Sequence, residues 1–161
     1  MLLSDEYISL YTSSKQALQI IYILKKYFNN LNDITIVDAT AGIGGNSLYF
    51  CKYFNFVYCI DTYDEAINYL HHNLSDFENK FIINHNCLDI LKLIKFDVIF
   101  FDPPWGGNQY KFINKLNLYI NEININKIID NLYFNKNIKL IALKAPNNFN
   151  LNVNSDWKSV V

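Results

Sequence analysis

Ile34-Thr35-Ile36-Val37-Asp38-Ala39-Thr40-Ala41-Gly42-Ile43-Gly44-Gly45-Asn46 is the stretch that decides the fold. Ile34 to Val37 are β-favouring residues and read as a first strand. Ala39 to Asn46 form a glycine-rich turn, and Ser47 to Tyr53 open a helix. Strand, turn and helix in that order begin a βαβ unit, whose two strands lie parallel.

The same alternation runs outward in both directions. Upstream, Ser13 or Ser14 caps a helix whose apolar residues Ala17, Leu18, Ile21, Leu24, Phe28 and Leu31 recur at helical spacing. Downstream, Phe56 to Ile60 is a second strand, Asp64 to Leu74 a helix, Phe81 to Asn84 a third strand and Val98 to Phe101 a fourth. Ile123 to Phe134 is helical and Ile138 to Leu143 is a fifth strand. The pattern predicts a single α/β domain over 1–161 with a mostly parallel sheet and helices on both faces. Residues 1–30 are its N-terminal segment and first helix, 31–144 its core, and 145–161 a short tail. Isolated Trp157 in that tail is expected to pack.

Ligands of such sheets bind at the carboxyl ends of the strands. Four acids fall there: Asp38 after strand one, Asp61 after strand two, Asp89 shortly after strand three and Asp102 after strand four. The glycine turn lacks the full spacing of a pyrophosphate site and carries an acid at its start, which would repel phosphates. A cationic ligand suits it. S-adenosylmethionine carries an ammonium and a sulfonium and no phosphate, so it is the expected cofactor. Ala39, Gly42, Gly44 and Asn46 would lie against it, Asp61 would accept from its ribose hydroxyls, and Asp89 from its adenine amine.

Asp102-Pro103-Pro104-Trp105-Gly106-Gly107-Asn108-Gln109-Tyr110 follows the fourth strand. The Asp102 carboxylate and the Pro103 carbonyl can both accept from one NH2 group, aiming its lone pair at a donor methyl. Trp105 can stack on the attached ring. Methyl transfer from a sulfonium is an in-line displacement, so positioning supplies much of the acceleration.

Bulk properties narrow the partner. The 161 residues carry a net charge of −1 and are 51% hydrophobic, enough for a packed core. Every basic residue is lysine, so the arginine forks and basic surplus common in readers of long nucleic acid are missing. Cys51, Cys59 and Cys87 form no CxxC pair, and His71, His72 and His85 have no partners at ligand spacing, so no metal site is expected. Scattered cysteines read as reduced thiols. No apolar run reaches the ~20 residues of a membrane span, and the N-terminus has no basic leader, so an intracellular protein is expected.

On these residues the chain resembles the trimethylguanosine synthase family, which methylates the amine at position 2 of a 7-methylguanosine RNA cap. The match is carried by Pro103-Pro104-Trp105-Gly106-Gly107 with Tyr110, and by Val37-Asp38-Ala39 with Gly42-Ile43-Gly44-Gly45-Asn46. It runs from about residue 11 to about residue 149. The resemblance implies a Rossmann-like class I methyltransferase fold, S-adenosylmethionine as cofactor, and capped RNA as partner. It implies a cofactor-contacting hydroxyl at Ser13 and a cap contact at Asn147, in the loop Lys144-Ala145-Pro146-Asn147-Asn148. Trp105 would stack on the cationic 7-methylguanine, with a cation–π gain of about 0.5–2 kcal/mol.

The chain departs from the family in three ways. Asp102 stands where the family more often has Ser. Little sequence precedes the first helix. The tail after the fifth strand is too short for the usual terminal strand hairpin, which predicts an exposed sheet edge and a protein partner over it. Two other functions fit the same motifs: methylation of another exocyclic amine, in RNA guanine or DNA adenine, and a catalytically silent methyltransferase-like subunit.

Overall fold

The computed structural model describes residues 12–134 and 137–152. Trp157 and the rest of the tail beyond Asn152 lie outside them. Five parallel strands form one sheet: β1 (Thr35–Asp38), β2 (Phe56–Asp61), β3 (Lys80–Asn84), β4 (Val98–Phe101) and, after a two-strand hairpin of β5 (Tyr119–Ile120) and β6 (Ile123–Asn124), β7 (Leu140–Leu143). Their order is β3-β2-β1-β4-β7. The chain leaves β1 toward β2 on one side and returns as β4 on the other, so the switch point lies between β1 and β4.

Alternate residues of the central strands build two cores. Ile36, Val57, Cys59, Val98 and Phe100 pack on α1 (Ser14–Leu24), α2 (Ser47–Tyr53) and α3 (Asp64–Asn73). Val37, Ile60, Ile99 and Phe101 face α4 (Cys87–Ile90), α5 (Ile125–Tyr133) and the β5–β6 hairpin. All four residues of β4 are buried, which is why that strand reads as an unbroken apolar run. The expected helices on both faces are therefore present.

Several boundaries differ from the sequence pattern. The first helix stops at Leu24, although the apolar spacing runs on to Leu31. Asn30 accepts from the backbone of Asn32 and starts a 3-10 turn, Leu31–Asp33, which buries Leu31 without continuing the helix. Ile123 and Asn124 belong to β6, and Asn124 caps α5 by accepting from Asn126. The hairpin turns on Asn121 and Glu122, both at positive φ. Asn-Glu is a weak form of the Asn-Gly turn signal, so nothing in the sequence marked two strands of two residues each. Among the described residues no strand pairs with the outer edge of β7 or of β3.

Gly44 shows what the glycine turn is for locally. Its φ is +95°, and a Cβ there would lie 2.8 Å from Leu70 Cδ1 of α3. Gly44→Ala therefore combines left-handed strain with overpacking. It is expected to cost about 2 kcal/mol or more, read as a lower urea midpoint at unchanged slope.

Candidate active site

The switch point gathers three carboxylates. Asp38, at the end of β1, is 0% exposed. Ser47, the first residue of α2, donates to its Oδ2 at 2.6 Å, while its Oδ1 is buried without a donor among the described residues. Burial pushes the Asp38 carboxyl up to about 7; Ser47 pulls it down, and the charges of Asp102 and Asp61 push it further up. An acid in this position is partly neutral at pH 7, and a cation beside it would restore its charge.

Asp61 ends β2 with its carboxylate held by three backbone N–H groups. Oδ2 accepts from Gly42 N at 2.8 Å, and Oδ1 from Thr62 N and Tyr63 N at 2.8 and 3.1 Å. It thus ties the glycine turn to the start of α3. A carboxylate accepts about four hydrogen bonds, so one position remains for a ribose hydroxyl. Gly42 has open space above its Cα, which suits close approach by a ligand. At Gly44 the missing side chain makes room for Leu70 of α3. Ala39 is buried and donates to Phe100 O, which seams β1 to β4.

Asp102 lies just past β4. Its backbone N–H donates to Thr40 Oγ1 at 2.8 Å. Three donors converge on its Oδ2: Lys144 Nζ at 2.7 Å, Thr12 Oγ1 at 3.2 Å and Asn46 Nδ2 at 3.2 Å. Among the described residues Oδ1 carries none of these bonds. Lys144 Nζ also donates to Thr12 Oγ1 at 2.9 Å and lies 5.7 Å from the centre of the Trp105 ring. One ammonium therefore touches both the carboxylate and the aromatic ring of the DPPW segment.

Trp105 and Tyr110 meet edge to face, with ring centres 5.2 Å apart. Gly106, at φ +85°, turns the chain so that a 3-10 turn, Gly107–Phe112, brings Tyr110 back against the indole. Pro103 is buried and Pro104 exposed. Trp105, Tyr110, Lys111, Pro146, Asn147 and Asn148 line an open cleft of about 430 Å3. Asn147 is exposed on its rim. Asn148 holds the rim together, donating to the carbonyls of Tyr110 and Ile113 at 2.7 Å each.

Three site residues have structural partners of their own. Ser13 caps α1, as its position in the sequence suggests, and its exposed hydroxyl closes the capping box with Gln16; the buried hydroxyl that reaches Asp102 belongs to its neighbour Thr12. Asp89 lies on the one-turn helix α4, exposed and paired with Lys92 at 3.3 Å. Asn46 is buried and reaches Thr12 and Asp102, so it braces the reaction end while its Oδ1 lacks a donor. Nothing in the sequence points to Thr12, while Lys144 and Asn148 stand there only as members of one loop, without their partners. Strand register was the available signal for Lys144: Phe101 pairs with Leu143, so the next residues, Asp102 and Lys144, are neighbours.

The acceptors at the ends of β1 and β2 fit S-adenosylmethionine. Among the described residues Asp38 Oδ1 and Asn46 Oδ1 are buried without a hydrogen-bond partner, and Lys144 pairs with Asp102 while Asp38 and Asp61 have no ammonium partner. A ligand bringing N–H donors and positive charge completes that set; a phosphate does not. The cysteines offer no nucleophile, since burial pushes Cys87 up to about 12 and the Cys51 contact raises Cys59 well above its usual range. No metal-holding cluster of His, Cys, Asp and Glu, and no helix long and apolar enough to cross a membrane, occurs among the described residues.

The family model for RNA cap guanine-N2 methyltransferases matches residues 34–160. The chain belongs to that family. It is 33% identical over 131 residues to the uncharacterized protein L320 of Acanthamoeba polyphaga mimivirus, covering 78% of this chain and 51% of that protein. It is 31% identical over 111 residues to trimethylguanosine synthase of Schizosaccharomyces pombe, covering 60% and 46%. The chain thus spans about half the length of these curated relatives. PH1948 of Pyrococcus horikoshii has a similar structure, with a TM-score of 0.50, 18% identity and coverage of 65% and 53% of the two chains. The fold is that of the class I methyltransferases, and S-adenosylmethionine is the cofactor.

The Asp38 carboxyl gives a pH prediction. Its folded value lies above its ordinary 3.8, so between there and about 7 the folded chain keeps a proton that the unfolded chain has lost. Its contribution to stability is fully present below that window and fades as pH rises through it. The cationic cofactor favours the ionised form. Its affinity is therefore expected to rise as pH climbs toward about 7, and Asp38→Asn should weaken binding and flatten the rise. Calorimetric titration on either side of that value reads both effects.

Proposed function

We propose that this chain transfers a methyl group from S-adenosylmethionine to the exocyclic amine at position 2 of a 7-methylguanosine RNA cap. The observation that carries the reading is the DPPW segment at the switch point, with Lys144 bridging the Oδ2 of Asp102 and the Trp105 ring and, among the described residues, no donor on Asp102 Oδ1. The bound cofactor supplies an electrophilic methyl group. Asp102 Oδ1 and the Pro103 carbonyl hold the amine and orient its lone pair. Trp105 holds the base flat, and Tyr110 braces Trp105 edge-on. The amine proton leaves after transfer, so no strong base is required, and Asp102 lies within reach to accept it. The long rim formed by Tyr110, Lys111 and Asn147 leaves the cleft open toward the rest of an RNA.

The test is incubation of the purified chain with S-adenosylmethionine and 7-methylguanosine diphosphate, with GDP as control, and product mass as readout. A gain of one or two methyl groups, absent with GDP, supports the reading. No gain with cofactor binding intact points to another exocyclic amine. No gain and no cofactor binding points to a silent subunit. A protein partner over the β7 edge belongs to the same proposal, and a monodisperse monomer in light scattering at high concentration counts against it.

A further inference from the structure

The chain is nearly neutral overall, yet its charges are unevenly placed. Residues 14–32 and 39–60, which contain α1, α2 and the strand between α2 and α3, include Lys15, Lys25, Lys26 and Lys52 and not one carboxylate. α1 and α2 pack side by side in the same core. Their outer surface is therefore a basic face on a chain whose net charge is −1.

Three of these four lysines lie on tyrosines. Lys26 Nζ is 4.7 Å from the centre of the Tyr22 ring, Lys25 Nζ is 4.6 Å from Tyr53, and Lys52 Nζ is 5.0 Å from Tyr49. None of these lysines has a carboxylate partner among the described residues. Lys25, Asn29, Asn30, Asn32, Lys52 and Tyr53 line a cleft of about 480 Å3 where the carboxyl ends of α1 and α2 meet. Asp33, next in sequence, is held by the Asn30 amide at 3.1 Å. Lys15, Leu18, Tyr22 and Lys26 follow one another at helical spacing, opposite the buried Ala17, Ile21 and Leu24. Leu18 is 44% and Tyr22 66% exposed.

Lysines near a helix carboxyl end stabilise the helix dipole, and that accounts for part of their placement. It does not account for an exposed Tyr22, nor for amides and tyrosines filling a cleft between them. Alternating ammonium groups, amides and open aromatic faces are what single-stranded nucleic acid uses: phosphates pair with the lysines and bases stack on the rings. α1 and α2 lie on the sheet face opposite the core on which Trp105 packs, and α1 starts beside Thr12, which touches Asp102 at the rim. A chain of a few nucleotides that crosses the rim at Thr12 would meet α1, whose 11 residues carry the surface about 16 Å further.

We propose that the α1–α2 face binds the single-stranded body of the RNA whose 5′ end is methylated. This rests on the reading that the substrate is RNA. The first arm of the test is fluorescence anisotropy with a labelled, uncapped RNA of about twelve nucleotides. The wild-type chain is expected to bind at low salt. The triple variant Lys25→Gln, Lys26→Gln, Lys52→Gln should bind about tenfold more weakly, with a log–log salt slope shallower by about 2. Tyr22→Ala should weaken binding about fivefold with the slope unchanged, and the triple Lys→Arg variant should bind like wild type. Cofactor titration confirms that each variant is folded.

The second arm compares substrates. The triple variant should methylate 7-methylguanosine diphosphate at the wild-type rate while its KM for capped RNA rises about tenfold. Unchanged RNA affinity and salt slope in the triple variant would overturn the proposal. So would a wild-type chain that binds no uncapped RNA, in which case the face serves a protein. Failure of the wild-type chain to methylate the diphosphate would instead sink the cap reading, and the anisotropy arm would still decide the surface.

Discussion

Trp105→Ala is expected to lower kcat/KM for 7-methylguanosine diphosphate by about two orders of magnitude and to leave S-adenosylmethionine affinity within about twofold. The magnitude follows from what the ring would do. Stacking a base on an aromatic side chain is worth about 1–3 kcal/mol, and a cationic base adds a cation–π gain of about 0.5–2 kcal/mol. The division of effects follows from geometry. The indole lies against Tyr110 and Lys144 on the cleft side of Asp102, while the donorless acceptors Asp38 Oδ1 and Asn46 Oδ1 lie beneath the glycine turn. Trp105 also packs against the core on the α5 face, so alanine will cost some stability. Trp105→Phe separates the two effects, because it keeps a flat ring and most of the packing. It should lose about tenfold or less. A parallel collapse of cofactor affinity in Trp105→Ala would show that the indole shapes the cofactor pocket instead.

The fold was legible because its signals are regional. A strand, a glycine turn and a helix, repeated along the chain, leave few topologies, and the near-continuous burial of β1 and β4 follows directly from their apolar runs. The β5–β6 hairpin was not legible, because two-residue strands carry no periodicity and Asn121-Glu122 is a poor turn signature. The carboxylates of the site were legible for the same reason as the fold, since each ends or follows a strand. Their partners were less so. Thr12 reaches Asp102 across 90 residues of sequence, and nothing local distinguishes it from Ser13 and Ser14. The role of Asp38 was half legible: its place at the end of β1 was clear, while its complete burial depends on α2 closing over it through Ser47.

The pair of Asp102 and Lys144 gives the second large effect. The two side chains are 14% and 21% exposed and 2.7 Å apart. Removing one charge leaves the other in a half-dry site, which costs far more than losing a surface pair; about 3 kcal/mol is expected for either Asp102→Ser or Lys144→Met. Removing both should cost less than the sum, with a coupling of about 1–3 kcal/mol in a double-mutant cycle followed by urea unfolding. Full additivity would mean the pair contributes nothing as a pair. Activity should separate the partners. Asp102→Ser removes the proposed amine acceptor and is expected to lower kcat by about a hundredfold or more, with cofactor affinity retained. Lys144→Met keeps the acceptor but removes the cation that holds it in place, so kcat is expected to fall by about tenfold with cofactor affinity retained. Lys144→Arg should restore most of the rate. A loss of stability with kcat unchanged would assign Lys144 a purely structural part. The sheet itself argues for more than that: register sets Asp102 beside Lys144 at the one rim where β4 and β7 end together, so this carboxylate carries its counter-charge wherever the fold forms.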